Sequence, residues 1–173
     1  MKAFIISLGL LPLLRLVILG YQDDLTANPI EFITRSTGTW ALVFLCITLA
    51  VTPVRKITGL SQLLKYRRTF GLFVFFYASL HFSIWFWLDH DLSFSEMIND
   101  VIKRPFITMG FSAFVLLVPL AITSNDWAVR KLKRSWSKLH RLVYLIAILV
   151  ILHYFWHKSG KNDFQTVGIY GAI

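Results

Sequence analysis

In 173 residues, 56% of them hydrophobic and gathered into long blocks, there is too little polar surface for a soluble globule, and the chain reads as an integral membrane protein. A net charge of +9 would suit a nucleic-acid partner, but the cations sit in short segments between apolar blocks, which argues against a nucleic-acid surface. The lone cysteine, Cys46, lies inside one block; it excludes a disulfide framework and reads as a small apolar filler.

Five blocks are long enough to cross a bilayer core of roughly 30 Å, which takes about 20 helical residues. They run over approximately 4–20, 39–54, 69–88, 106–123 and 139–157. The second is short and is expected to extend into Ser36–Thr37 and Val54. A span must satisfy its backbone internally, so these blocks are helices, and no period-2 alternation suggests a barrel. The expected fold is all-α: one integral membrane helical bundle over residues 1–173, with five full spans. The tail, Val167 to Ile173, reads as the start of a sixth span cut short.

The segment between the second and third blocks holds Arg55, Lys56, Lys65, Arg67 and Arg68 with no acid. The segment between the fourth and fifth holds Arg130, Lys131, Lys133, Arg134 and Lys138 against Asp126. The other connections hold every remaining acid. This positive-inside bias places the N-terminus and both basic segments in the cytoplasm.

The first block is an uncleaved span rather than a signal peptide, since Arg15 interrupts it and no small-residue cleavage site follows closely. Pro12 is expected to kink it. Arg15 either snorkels to the outer headgroups or pairs with a haem propionate. The acidic stretch 21–34, with Asn28-Pro29, reads as a turn-rich loop. Pro53 reads as the terminator of the second helix. The third block carries Phe70, Phe73, Phe75, Phe76, Tyr77, Phe82, Trp85, Phe86 and Trp87 around His81: packing and interfacial belt, or a wall for a large flat π-system. His90, between two aspartates, reads as a solvated loop residue. Pro105 opens the fourth span, and Pro119 is expected to kink it.

The fifth block carries His140, His153 and His157. Histidine inside a span is a functional hypothesis by default. His81 lies 13 residues past Arg68, and His153 lies 15 past Lys138. At about 1.5 Å per residue both sit about 20 Å from the cytoplasmic edge, a matched depth that suits two axial ligands of one haem iron. His140 is 13 residues before His153. That is about 20 Å away and roughly 140° round a continuous helix, too far to share the iron. Its readings are a five-coordinate haem, a flavin contact or a snorkelling interfacial histidine. His153 and His157 share a face at i, i+4, but no third ligand is near, so haem at His153 is preferred to a bare metal ion.

The chain resembles the ferric-reductase-like transmembrane family, which includes NADPH oxidase membrane domains. Within that family it resembles the haem-binding membrane subunits of bacterial periplasmic methionine sulfoxide reductase systems. The carriers are Gly9-Leu-Leu-Pro12, Thr37-Gly38, Thr52-Pro53, Arg67-Arg68-Thr-Phe-Gly-Leu72, Leu80-His81, Lys103-Arg-Pro105 with Gly110, Leu139-His140-Arg-Leu-Val-Tyr144 and His153-Tyr-Phe-Trp156. Each is short; their order and spacing carry the likeness across nearly the whole chain. The resemblance implies a b-type haem held at the places of His81, His140 and His153, and a flavin mononucleotide (FMN) whose site it does not place. It implies a multi-pass protein of the bacterial inner membrane. Its electrons would come from quinone or a cytoplasmic flavin reductase and go to a periplasmic molybdopterin-containing methionine sulfoxide reductase subunit, which repairs oxidised proteins. Arg68 stands where two-haem relatives carry a fourth histidine. No NADPH-binding domain is expected, so hydride would not be taken directly.

The expected function is therefore transmembrane electron transfer with no catalytic acid, base or nucleophile. Arg67, Arg68 and Arg141 at the basic face would suit a flavin phosphate. One alternative is a ferric reductase or quinone-linked cytochrome b. Another, of a different class, is a small transporter with protonatable histidines, against which stands the scarcity of polar residues in the spans. A purely structural anchor leaves the matched histidine depths unexplained.

Overall fold

A computed structural model describes residues 2–159, and among these every regular element is helical. In chain order they are α1 (Lys2–Tyr21), α2 (Pro29–Thr58), a 3-10 turn (Ser61–Leu63), α3 (Leu64–Ile84), a π-helical turn (Trp85–Asp89), α4 (Phe94–Lys103), α5 (Pro105–Ile122), α6 (Asp126–Leu132), α7 (Arg134–His140) and α8 (Leu142–Ser159). Among the described residues, five stretches are long and apolar enough to cross a membrane: Lys2–Tyr21, Pro29–Thr58, Ser61–Asp89, Pro105–Ile122 and Arg134–His157. The expected sixth span, at 167–173, lies outside the described residues.

The chain divides into two compact units, with the division between Leu92 and Ser93. In the first, α2 packs along α3. Leu42, Phe44, Leu45 and Val51 meet Phe73, Val74 and Tyr77, and all are buried. Phe44 stacks on Phe73 at 4.9 Å and on Tyr77 at 5.5 Å between ring centroids. α1 joins through Gly9: its carbonyl accepts from the Tyr77 hydroxyl at 2.7 Å, and the Phe73 ring fills the space where a side chain would start. The buried hydroxyls of Thr37 and Thr48 donate to carbonyls one turn back, at 2.9 Å (Ile33) and 2.7 Å (Phe44), so both are satisfied within α2.

In the second unit, α5 packs along α8, with Ile107, Ala113, Leu117 and Leu120 on one helix and Val143 and Ile146 on the other. α4 leans on α5 through buried Met97 and a bond from the Thr108 hydroxyl to the Val101 carbonyl. The outer surfaces stay apolar. Phe4, Leu8, Leu11, Leu14 and Val17 of α1, and Tyr144, Leu145 and Ile148 of α8, are all exposed. Such a surface suits acyl chains and would aggregate in water.

Several local expectations are corrected. The second helix begins at Pro29, inside the stretch read as a loop. Asn28 caps it by accepting from the Glu31 amide at 3.1 Å, and Pro29 occupies the first turn, where its missing N–H is no loss. Pro53 does not end it. The helix runs on to Thr58 and stops at Gly59, whose φ of 73° turns the chain out while its N–H bonds Arg55 O. Pro12 and Pro119, where kinks are expected, lie inside α1 and α5, as that expectation requires. The stretch 89–104 contains α4, and the basic stretch 125–138 contains α6 and most of α7. The fifth span is interrupted at Arg141, where the N–H of Arg141 bonds Lys138 O and that of Tyr144 bonds Arg141 O, each three residues back.

Candidate functional site

Each unit holds a half-buried histidine, His81 or His153, on its last long helix, and these two are fixed in the same way. In the first unit, His81 of α3 donates from Nδ1 to the Thr34 carbonyl of α2 at 2.8 Å. A carbonyl can only accept, so the proton is on Nδ1 and the ring lone pair is on Nε2. One turn along α2 from Thr34 is Gly38. A β-carbon there would stand 3.0 Å from His81 Nδ1 and 3.1 Å from its Cε1, so the ring rests on the bare backbone.

In the second unit, His153 of α8 donates from Nδ1 to the Phe106 carbonyl of α5 at 2.7 Å. One turn along α5 is Gly110, where a β-carbon would stand 2.8 Å from Nδ1 and 2.9 Å from Cε1. The Phe106 ring lies beside His153 at 6.0 Å and beside His157 at 6.2 Å between centroids. His157 is thus set against the same aromatic residue as His153.

His140 differs. It ends α7, half-buried, with the Trp136 indole stacked on it at 3.9 Å. Its Nε2 is 3.0 Å from the Thr123 hydroxyl, and that hydroxyl donates to the Pro119 carbonyl at 2.6 Å. With the hydroxyl proton used there, His140 donates from Nε2 and its lone pair is on Nδ1. The Trp136 indole N–H bonds the Thr123 carbonyl at 2.9 Å, which ties this cluster to the end of α5. The interruption at Arg141 also means that the angle between His140 and His153 cannot be counted along one continuous helix.

The remaining candidates stand apart. Arg15 lies exposed on α1. His90, read as a solvated loop residue, is half-buried, with the edge of its ring against Trp85 at 4.7 Å. It follows the π-helical turn that begins one helical turn after His81. Cys46 is partly buried in α2. The partners that sequence reasoning missed are the Thr34 and Phe106 carbonyls and the two glycines. The glycines carried a signal, since each lies 43 residues before its histidine.

A helical membrane protein with imidazoles anchored inside its apolar helices is the class that fold and site define. The chain belongs to the ferric reductase like transmembrane component family, whose model matches residues 37–151, a stretch that includes His81 and His140 and stops just short of His153. It is 58% identical over 167 residues to a protein of Ralstonia nicotianae, covering 96% of this chain and 77% of that one. It is 54% identical over 172 residues to one of Bordetella pertussis (99% and 84%) and 45% identical over 152 to one of Xanthomonas campestris pv. campestris (88% and 69%). All three carry the name protein-methionine-sulfoxide reductase heme-binding subunit MsrQ. No solved structure matches.

Proposed function

We propose that this chain is the haem-binding membrane subunit of a methionine sulfoxide reductase system, carrying electrons across the bacterial inner membrane to a periplasmic catalytic subunit. One observation carries the reading: two histidines within spanning helices, each with Nδ1–H bound to a backbone carbonyl. The donor chemistry fits a haem. A neutral imidazole whose Nδ1 proton is held by an acceptor presents a basic Nε2, the usual nitrogen ligand of haem iron, in a fixed ring orientation. His81 and His153 are the proposed axial pair, and His140 is proposed as a further cofactor contact. The names of the relatives point the same way.

When bound, the haem supplies a one-electron carrier inside a medium that water-soluble redox groups cannot cross. The protein's own part is to hold and insulate. The Thr34 and Phe106 carbonyls fix the imidazoles. The aromatic side chains of α3 keep water away, and the lipid-facing surfaces hold the assembly in the bilayer. FMN is proposed as a second cofactor on the basic side, with quinone or a cytoplasmic flavin reductase as donor. The N-terminus and the basic segments are proposed to lie in the cytoplasm. A ferric reductase would use the same two histidines; the relatives' names favour the methionine sulfoxide system.

The test is transfer across sealed liposomes containing the chain, with a reductant trapped inside and impermeant ferricyanide outside. Chain-dependent ferricyanide reduction, lost in His81→Ala and His153→Ala, is expected. Reduction equal to that of empty liposomes would overturn the proposal.

A further inference from the structure

We propose that the chain carries one ligand-holding module twice, 72 residues apart, and that Gly38 and Gly110 are its positioning residues, setting the electron-donating strength of the two imidazoles. The inference rests on the haem reading above and deepens it. Thr34, Gly38 and His81 in the first unit correspond to Phe106, Gly110 and His153 in the second, each offset by 72. The geometry inside the two units agrees: Nδ1 to carbonyl at 2.8 and 2.7 Å, and an added β-carbon at 3.0 and 2.8 Å from Nδ1. Both modules are built from the main helix pair of their unit, α2 with α3 and α5 with α8.

The correspondence is chemical rather than one of residue type. The acceptor is a main-chain carbonyl, so Thr34 and Phe106 serve equally. Only the glycine is demanded, because a β-carbon under 3.4 Å from a ring atom must push the ring away. Gly71 shows the contrast: a β-carbon there would meet only a Thr48 methyl at an ordinary 3.9 Å. Gly9 excludes a β-carbon too, but against the Phe73 ring, which is packing.

The consequence is directional. A strong bond from Nδ1–H to a carbonyl gives the imidazole partial imidazolate character and raises its basicity at Nε2. A more basic ligand stabilises ferric over ferrous iron and lowers the reduction potential. Lengthening that bond raises it.

The experiment is redox titration and low-temperature electron paramagnetic resonance (EPR) of the haem-loaded chain. Wild type is compared with Gly38→Ala, Gly110→Ala and the control Gly71→Ala. The proposal expects haem retained, midpoints of both module variants shifted upward with altered low-spin g-values, and Gly71→Ala matching wild type. Loss of haem from both module variants with haem kept by Gly71→Ala also supports it. Midpoints and g-values of the module variants identical to wild type would overturn it while leaving the haem reading intact. If the module variants do not accumulate, pulsed EPR of wild type decides from the remote nitrogens. Couplings of two strongly bonded, equivalent Nδ1–H groups support the proposal, and weakly bonded or inequivalent ones overturn it. A wild type without haem overturns both readings, and its visible spectrum alone distinguishes that case.

Discussion

Tyr77 is the most thoroughly enclosed large side chain of the first unit, at 0% exposure, and its hydroxyl reaches the Gly9 carbonyl of α1. Removing that hydroxyl leaves the rings stacked and deletes one buried hydrogen bond. Tyr77→Phe is therefore expected to cost about 1 kcal/mol of stability with the haem spectrum unchanged, as measured by thermal unfolding in detergent. An unchanged midpoint would show that the bond is matched by one to lipid or water in the unfolded state. At this scale the sequence revealed the histidines but not what holds them. Side-chain types carry no record of a main-chain acceptor, so nothing in Thr34 or Phe106 marks them as partners. The glycines were visible as fragments of a family likeness, with no reason attached; the reason is the imidazole lying on each. His140 was legible as a member of the set, but its contact with the Thr123 hydroxyl at the end of α5 was not, because apolar periodicity does not report which helix ends meet.

Helix ends are where hydropathy was least informative. All five spans were found from apolar runs, yet α2 extends at both ends into polar residues because caps, not hydrophobicity, set its limits. Pro53 removes one amide from a thirty-residue helix, and the chain tolerates that; reversal needs a left-handed residue, which Gly59 supplies. Gly59→Ala is therefore expected to destabilise by about 1 kcal/mol, while Pro53→Ala leaves stability equal or higher. Parallel denaturation curves of the two variants check this, and the reverse order would place the stop signal at the proline. α4 and α6 were missed because each is too short to show as a span. Their caps were nonetheless written in the chain: Ser93 accepts from the Glu96 amide at 3.4 Å, and Asn125 from the Ala128 amide at 2.8 Å.

At the scale of the molecule, the charges predict orientation. With Cys46 replaced by serine, a single cysteine at Asp24 is expected to react with an impermeant maleimide added outside intact cells. A cysteine at Gln62, in the basic segment, reacts only after the membrane is opened. The opposite pattern would invert the topology and place the acidic connections in the cytoplasm. Membrane class, span count and family were all legible from the sequence because lipid imposes one coarse rule on every span. The carbonyl partners of the two histidines were not, because they lie in the main chain.

The central proposal is that His81 and His153 each serve as a ligand of haem iron. The reduced-minus-oxidised visible spectrum of the purified chain, beside His81→Ala and His153→Ala, tests it most directly. Sharp low-spin b-type bands in wild type, lost in both variants, are the predicted result. A wild type that stays colourless when haem is supplied during expression, or bands that survive either substitution unchanged, would contradict it.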